Sequence, residues 1–224
     1  DKFFLDLAMN KDYADALLEK VLDLYCRMYT NYFREVGEYA QIVYITDDLG
    51  TQVSLLMSPK MFREQVKPKF KAFNDHLKSL SDAKIMFHSD GAIDPLLEDV
   101  IEIGVDILNP VQTSTKGLED TFEIKQKYGS RLSFHGAIDV QQIMPNSSVA
   151  EIKQEVARRI HDLGSNGGYI LAPCHNIGYD IPVENVLALF EAAQEYGGLS
   201  QTELKKIMES NHAIMLFAIL LAEP

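Results

Sequence analysis

The sequence predicts an α/β fold built on a parallel sheet, and three observations predict it. Apolar runs of four or five residues alternate with longer stretches in which apolar residues recur every three or four positions. The connections between them are short, as in repeating strand-helix units that cover both faces of a parallel sheet. The apolar runs also end in polar groups, most clearly at Phe87-His88-Ser89-Asp90-Gly91. In parallel barrels the catalytic groups gather at the C-terminal ends of the strands.

Helical periodicity covers residues 13–36, where Leu17, Val21, Leu24 and Met28 mark a face expected to pack on the sheet. Residues 41–45 read as the first strand. Ser58-Pro59 opens a helix that runs over 61–80, with Pro68 inside it as a kink. Strand 84–87, helix 95–103, strand 105–108, helix 118–128 and strand 131–134 follow. Helix 149–163 is broken by Gly167-Gly168, strand 169–172 comes next, and a last helix runs from Pro182, tolerated in a first turn, to Tyr196. Five strands suit either a barrel or a doubly wound sheet. A closed eight-stranded barrel needs three more and typically ~250 residues, so the chain, which starts already helical, is expected to be the later part of a longer one.

Composition narrows the function. With 224 residues, 46% of them hydrophobic, the chain can bury a substantial core as one domain. A formal net charge of -12 argues against nucleic acid, whose phosphates call for a basic surface. Two cysteines, Cys26 and Cys174, make no disulfide framework and fit a reducing cytoplasm. Asp1-Lys2-Phe3-Phe4 begins no secretory signal, and the apolar stretch 213–222 is too short to span a bilayer. Neither a dinucleotide fingerprint nor a P-loop is present. In the tail, 198–224, Ser200 and Glu203 have capping-box spacing, and Leu204, Ile207, His212, Met215 and Leu216 outline an amphipathic helix. The run 214–222 is expected to dock on the barrel or on a second subunit, as in a homo-oligomer.

Every strand end carries candidate chemistry: Asp47 and Asp48, His88 and Asp90, Asn109 and Gln112, His135 and Asp139, Cys174 and His175. Plainer readings exist. Asp47-Asp48-Leu49-Gly50 fits a turn with Gly50 at positive φ, and a lone histidine such as His88 is often a core residue satisfied by a carbonyl. On a regular strand His88 and Asp90 share a face, and Gly91 permits a sharp turn. With His175 or Cys174 they supply three zinc-type ligands, and a catalytic zinc keeps one position open for substrate.

Four segments together, in order, resemble the uroporphyrinogen decarboxylase superfamily: Asp47-Asp48-Leu49-Gly50-Thr51-Gln52, Phe87-His88-Ser89-Asp90-Gly91, Val105-Asp106-Ile107-Leu108-Asn109-Pro110-Val111-Gln112 and Leu171-Ala172-Pro173-Cys174-His175-Asn176-Ile177. The likeness covers about residues 1–197, leaving 198–224 as a helical tail. It implies a (β/α)8 TIM barrel of which this chain is the C-terminal portion. Within the superfamily the chain is closer to the corrinoid-dependent methyltransferases than to the heme-pathway decarboxylase, because Ile45-Thr46-Asp47-Asp48 replaces the decarboxylase's Phe-Asp-Ser strand end.

The family's methyltransferases bind zinc through His-x-Cys and a later Cys. His88 matches the first position, Asp90 stands where the first Cys would be, and the later position falls nearer His175 than Cys174. The expected metal set is therefore His88, Asp90, His175 and Cys174. Such harder donors leave zinc a stronger Lewis acid, suited to activating a methyl ether or alcohol oxygen. The resemblance implies methyl transfer between a small methylated substrate or thiol and a corrinoid carried by a partner protein. Asp48, with Asp47 as alternate, would contact substrate or move a proton, and Gln112, His135 and Asn109 would bind substrate. The alternatives are a metal-free decarboxylase acting on a polycarboxylate, which wants an arginine-lined pocket, and a non-catalytic barrel.

Overall fold

The computed structural model describes residues 2–200 and 202–205. Five strands, β1 (Ile42–Thr46), β2 (Lys84–His88), β3 (Ile107–Val111), β4 (Ser133–Ile138) and β5 (Tyr169–Pro173), form one parallel sheet in the order β1-β2-β3-β4-β5. A doubly wound sheet reverses its strand order at a switch point. This sheet does not, and its unbroken order is that of an arc of a (β/α) barrel.

The helices are α1 (Lys2–Met9), α2 (Lys11–Val36), α3 (Pro59–Met61), α4 (Lys67–Leu80), α5 (Leu97–Glu102), α6 (Thr121–Tyr128), α7 (Ile143–Asn146), α8 (Val149–Gly164) and α9 (Val183–Tyr196). Register fixes which side chains meet them. Phe87, Leu108 and Phe134 lie abreast across β2, β3 and β4 and are fully buried under the helices. The residues one step along, Thr46, His88 and Asn109, line up on the opposite face. Helix α8 shows why the covering layer forms. A capping box joins Ser148 and Glu151, and Ile152, Val156, Ile160 and Leu163 recur on the buried face.

Several boundaries differ from the sequence expectation. Strand β3 reaches Val111 because Pro110, which lacks an N–H, sits inside a register shift between Leu108 and Val111 instead of ending the strand. Strand β4 starts at Ser133 and runs on past His135 and Gly136 to Ile138. The interruption expected at Pro68 lies one turn upstream. Residues Phe62–Val66 form a π-helical stretch in which the Lys67 N–H bonds to the Phe62 carbonyl, while Ser58 caps α3 by accepting from the Met61 N–H.

Helix α2 overturns one expectation. Its covered residues include Ala14, Leu18, Leu22, Cys26, Tyr29 and Phe33, and it packs on α4, where the Tyr29 and Phe73 rings meet edge to face at 5.3 Å. The stripe expected on the sheet is exposed instead, with Leu24 at 57% and Met28 at 49%. The helix is apolar on two adjacent faces, and periodicity alone picks either.

Among the described residues no helix is long and apolar enough to cross a membrane. The expected tail helix is described only at its start, where Ser200 and Glu203 close the capping box and Leu204 is buried. Ile207, His212, Met215, Leu216 and the run 214–222 lie outside the described residues.

Candidate functional site

The site forms where the loops after β1 and β2 are fastened together. The Asp47 N–H donates to the His88 carbonyl at 3.0 Å, the Leu49 N–H to Ser89 Oγ at 2.9 Å, and the Ala92 N–H to the Thr51 carbonyl at 2.7 Å. The backbones touch at two glycines. A Cβ on Gly91, whose φ is +97°, would lie 2.3 Å from the Gly50 carbonyl carbon. The sequence placed the positive φ at Gly50; it belongs to Gly91, and Gly50 is needed for the close approach.

This fastening brings Asp48, His88 and Asp90 together, with one potential ligand atom from each lying within 4.8 Å of the others. His88 Nε2 stands 3.8 Å from Asp48 Oδ1 and 3.9 Å from Asp90 Oδ2. Those gaps are too wide for hydrogen bonds. They come close to the spacing of neighbouring donors around one zinc ion, roughly 3.4 Å for bonds of about 2.0–2.1 Å. Asp48 Oδ1 also accepts the Asp90 N–H at 2.9 Å, so the Asp48 carboxylate is held against the Asp90 backbone.

Behind His88 runs a chain of hydrogen bonds across the sheet. Asn109 Oδ1 lies 2.6 Å from His88 Nδ1, and Asn109 Nδ2 lies 2.5 Å from His135 Nδ1. Burial pushes the His135 imidazole below its usual range, and the nearby His88 adds to this. Beside the cluster the Tyr44 ring sits 5.8 Å from that of His88. Burial raises its phenol, as do the charges of Asp90 and Asp48. Sequence reading missed Tyr44; its place in β1 two residues before Thr46, the partner of His88, is the signal that could have found it.

The remaining expected residues separate. His175 is exposed and approaches Asp90 with its Nε2 at 3.9 Å from Oδ2. Cys174 does not join the cluster: its buried thiol donates to the Val111 carbonyl at 3.2 Å, and burial pushes it up to about 12. Gln112 is buried, and its Oε1 accepts the Gly91 N–H at 2.7 Å, so it braces the loop. Asp139 accepts from the Gln141 and Gln142 N–H groups, closing the turn after β4.

Asp47 and Asp48 diverge. Asp48 enters the cluster, whereas Asp47 lines a cavity of about 180 Å³ between α2, β1 and α4, walled by residues such as Leu18, Tyr29, Phe70 and Phe73. These surroundings push the Asp47 carboxyl above its usual range, and the Asp48 charge adds to the shift.

A parallel arc of strands with its polar cluster at the strand ends defines a (β/α)-barrel protein of the strand-end-site type. Residues 1–196 match the family model described as uroporphyrinogen decarboxylase (URO-D), and the chain belongs to that family. Among solved structures, a methyltransferase from Methanosarcina mazei is similar, with a TM-score of 0.65 and 22% sequence identity over 84% of this chain and 50% of that one. The chain therefore spans about half the length of that relative. No curated protein matches the chain.

Proposed function

We propose that the chain carries the metal-binding part of a barrel methyltransferase. The enzyme moves a methyl group between a small methylated substrate, such as a methoxylated compound, or a thiol and a corrinoid held by a separate protein. The observation that carries this reading is the convergence of Asp48, His88 and Asp90 at adjoining strand ends. The M. mazei methyltransferase of similar fold adds support.

The donor set fits zinc. One imidazole nitrogen and two carboxylates are harder than an imidazole with two thiolates, and they suit a metal that polarises an oxygen. Bound there, zinc would supply Lewis-acid activation of the leaving or accepting group. The chain's own residues do the rest. Asp48 and Asp90 hold their oxygens on one side of His88, Asn109 orients the imidazole, and Tyr44 walls one flank with a phenol that keeps its proton. His175, beside Asp90, is placed to contact a substrate arriving from solvent.

Among the described residues, the arginines give the decarboxylase alternative no cation at a strand end. Arg27, Arg63, Arg131, Arg158 and Arg159 are each ion-paired with Asp23, Asp99, Glu98, Asp162 and Glu155 respectively, and none of these lies at a strand's C-terminal end.

The test is elemental analysis of the full-length protein and of His88→Ala, followed by a methyl-transfer assay to a corrinoid with methoxylated donors. Near-stoichiometric zinc that disappears in the variant, with methyl transfer in the wild type, is expected. Absence of metal from both samples would refute the zinc assignment, and its absence together with lack of methyl transfer would refute the function.

A further inference from the structure

We propose that Asn109 and His135 are positioning residues that lock His88 in the tautomer carrying its proton on Nδ1, with the Nε2 lone pair turned toward Asp48 and Asp90. Both had been expected to bind substrate. That the lone pair serves a cation rests on the zinc reading above; the tautomer itself does not.

The two ends of an amide side chain are chemically different. Asn109 is buried on β3 and uses both ends of its side chain, Oδ1 toward His88 Nδ1 and Nδ2 toward His135 Nδ1. Its oxygen can only accept and its nitrogen can only donate. One orientation of the amide therefore sets the tautomers of two histidines that never touch. With Oδ1 on His88, the His88 Nδ1–H has an acceptor at 2.6 Å and Nε2 is left as a lone pair.

Turning the amide over would move the His88 proton to Nε2. The carboxylate oxygens of Asp48 and Asp90 stand 3.8 and 3.9 Å away there, and a proton on Nε2 would remove the lone pair that a cation between them needs. His135 guards the orientation from the far end. Its Nδ1 faces Asn109 Nδ2 at 2.5 Å and can accept from it when the ring is neutral, the form that burial favours. A cationic His135 would donate and force the amide over. The chain reaches across β2, β3 and β4: strand register pairs His88 with Asn109, and the side-chain bond from Asn109 reaches His135 across the register shift between Leu108 and Val111.

The test reads the ring nitrogens directly. Histidine-labelled protein, stripped of metal with a chelator and held at pH 8, is examined by long-range proton-nitrogen NMR. Wild-type His88 is expected as a single form protonated at Nδ1. In His135→Phe the amide loses its acceptor, and His88 should become a mixture of tautomers. His135→Gln, whose side-chain oxygen can accept the same bond, should restore the single form. Cobalt(II) affinity should fall about 10- to 100-fold in His135→Phe, as for loss of a group supporting a metal ligand. Wild-type His88 protonated at Nε2 would overturn the proposal without any variant, and so would an unchanged single form in His135→Phe. Should cobalt bind none of these proteins while His88 stays protonated at Nδ1, the zinc reading fails and the relay stands.

Discussion

Replacing Gly91 with alanine should destabilise the protein far more than the same change at Gly167. Both glycines have positive φ, +97° and +78°, so each alanine pays the left-handed penalty of about 1–2 kcal/mol. Both variants also gain the same small benefit from a stiffer unfolded chain, which cancels in the comparison. Their surroundings differ. A Cβ at Gly167 would meet nothing within 4 Å, whereas at Gly91 it would fall 2.3 Å from the Gly50 carbonyl carbon and 2.6 Å from its oxygen. Both are backbone atoms, so relief requires the two loops to part, at an overpacking cost of about 1–3 kcal/mol. The expected losses are about 1–2 kcal/mol for Gly167→Ala and about 2–5 kcal/mol for Gly91→Ala. At roughly 2–4 °C per kcal/mol for a chain of this size, thermal unfolding separates them. Because Asp48 and Asp90 ride on the parted loops, cobalt affinity should fall in Gly91→Ala alone. Equal melting shifts for the two variants would refute the claim that backbone contact between Gly50 and Gly91 holds the site together.

Other consequences are equally accessible. Burial opposes ionisation of Asp99, yet hydrogen bonds from Arg63 and Lys67 outweigh it and hold the carboxyl below the usual 3.8. Its contribution to stability is therefore complete above that value and lost as pH falls through the lower folded value; urea midpoints measured from pH 7 to pH 2 should show this acid-side loss, and Asp99→Asn should lack it. Asp47 has the opposite sign: its folded carboxyl is raised, so ionisation penalises the folded state, and Asp47→Asn should raise the urea midpoint at pH 7 but not at pH 3. With its thiol pushed up to about 12, Cys174 should resist iodoacetamide at pH 8 in the folded protein and react on unfolding; rapid native labelling, located by peptide mass spectrometry, would contradict its burial.

The strands were legible because apolar runs such as Ile85-Met86-Phe87 are buried on both sides and read as unbroken. His88 and Asp90 were legible for the same reason, since chemistry that follows such a run falls at a strand end. What the sequence could not supply was phase and register. Asn109 was recognised as polar at a strand end, but its place between His88 and His135 depends on pairing across three strands. Cys174 and His175 are neighbours, and one step of phase sends the thiol inward and the imidazole outward. The short helices α1 and α7 offered too few turns for periodicity to register. For α2 the signal was strong but ambiguous, because two adjacent apolar stripes compete and only packing on α4 chooses between them.

The divergence of Asp47 and Asp48 makes β1 a reading frame. Asp47 and Asp48 directly follow the last residue of β1, so the phase in which the strand ends decides which carboxyl meets His88 and which meets the aromatic cavity. Inserting a single residue ahead of Asp47 would carry Asp47 into the place that Asp48 holds beside His88, set the new side chain against the aromatic cavity and push Asp48 one position further along the loop. The count of residues from Ile42 to Thr46 is therefore itself part of the site.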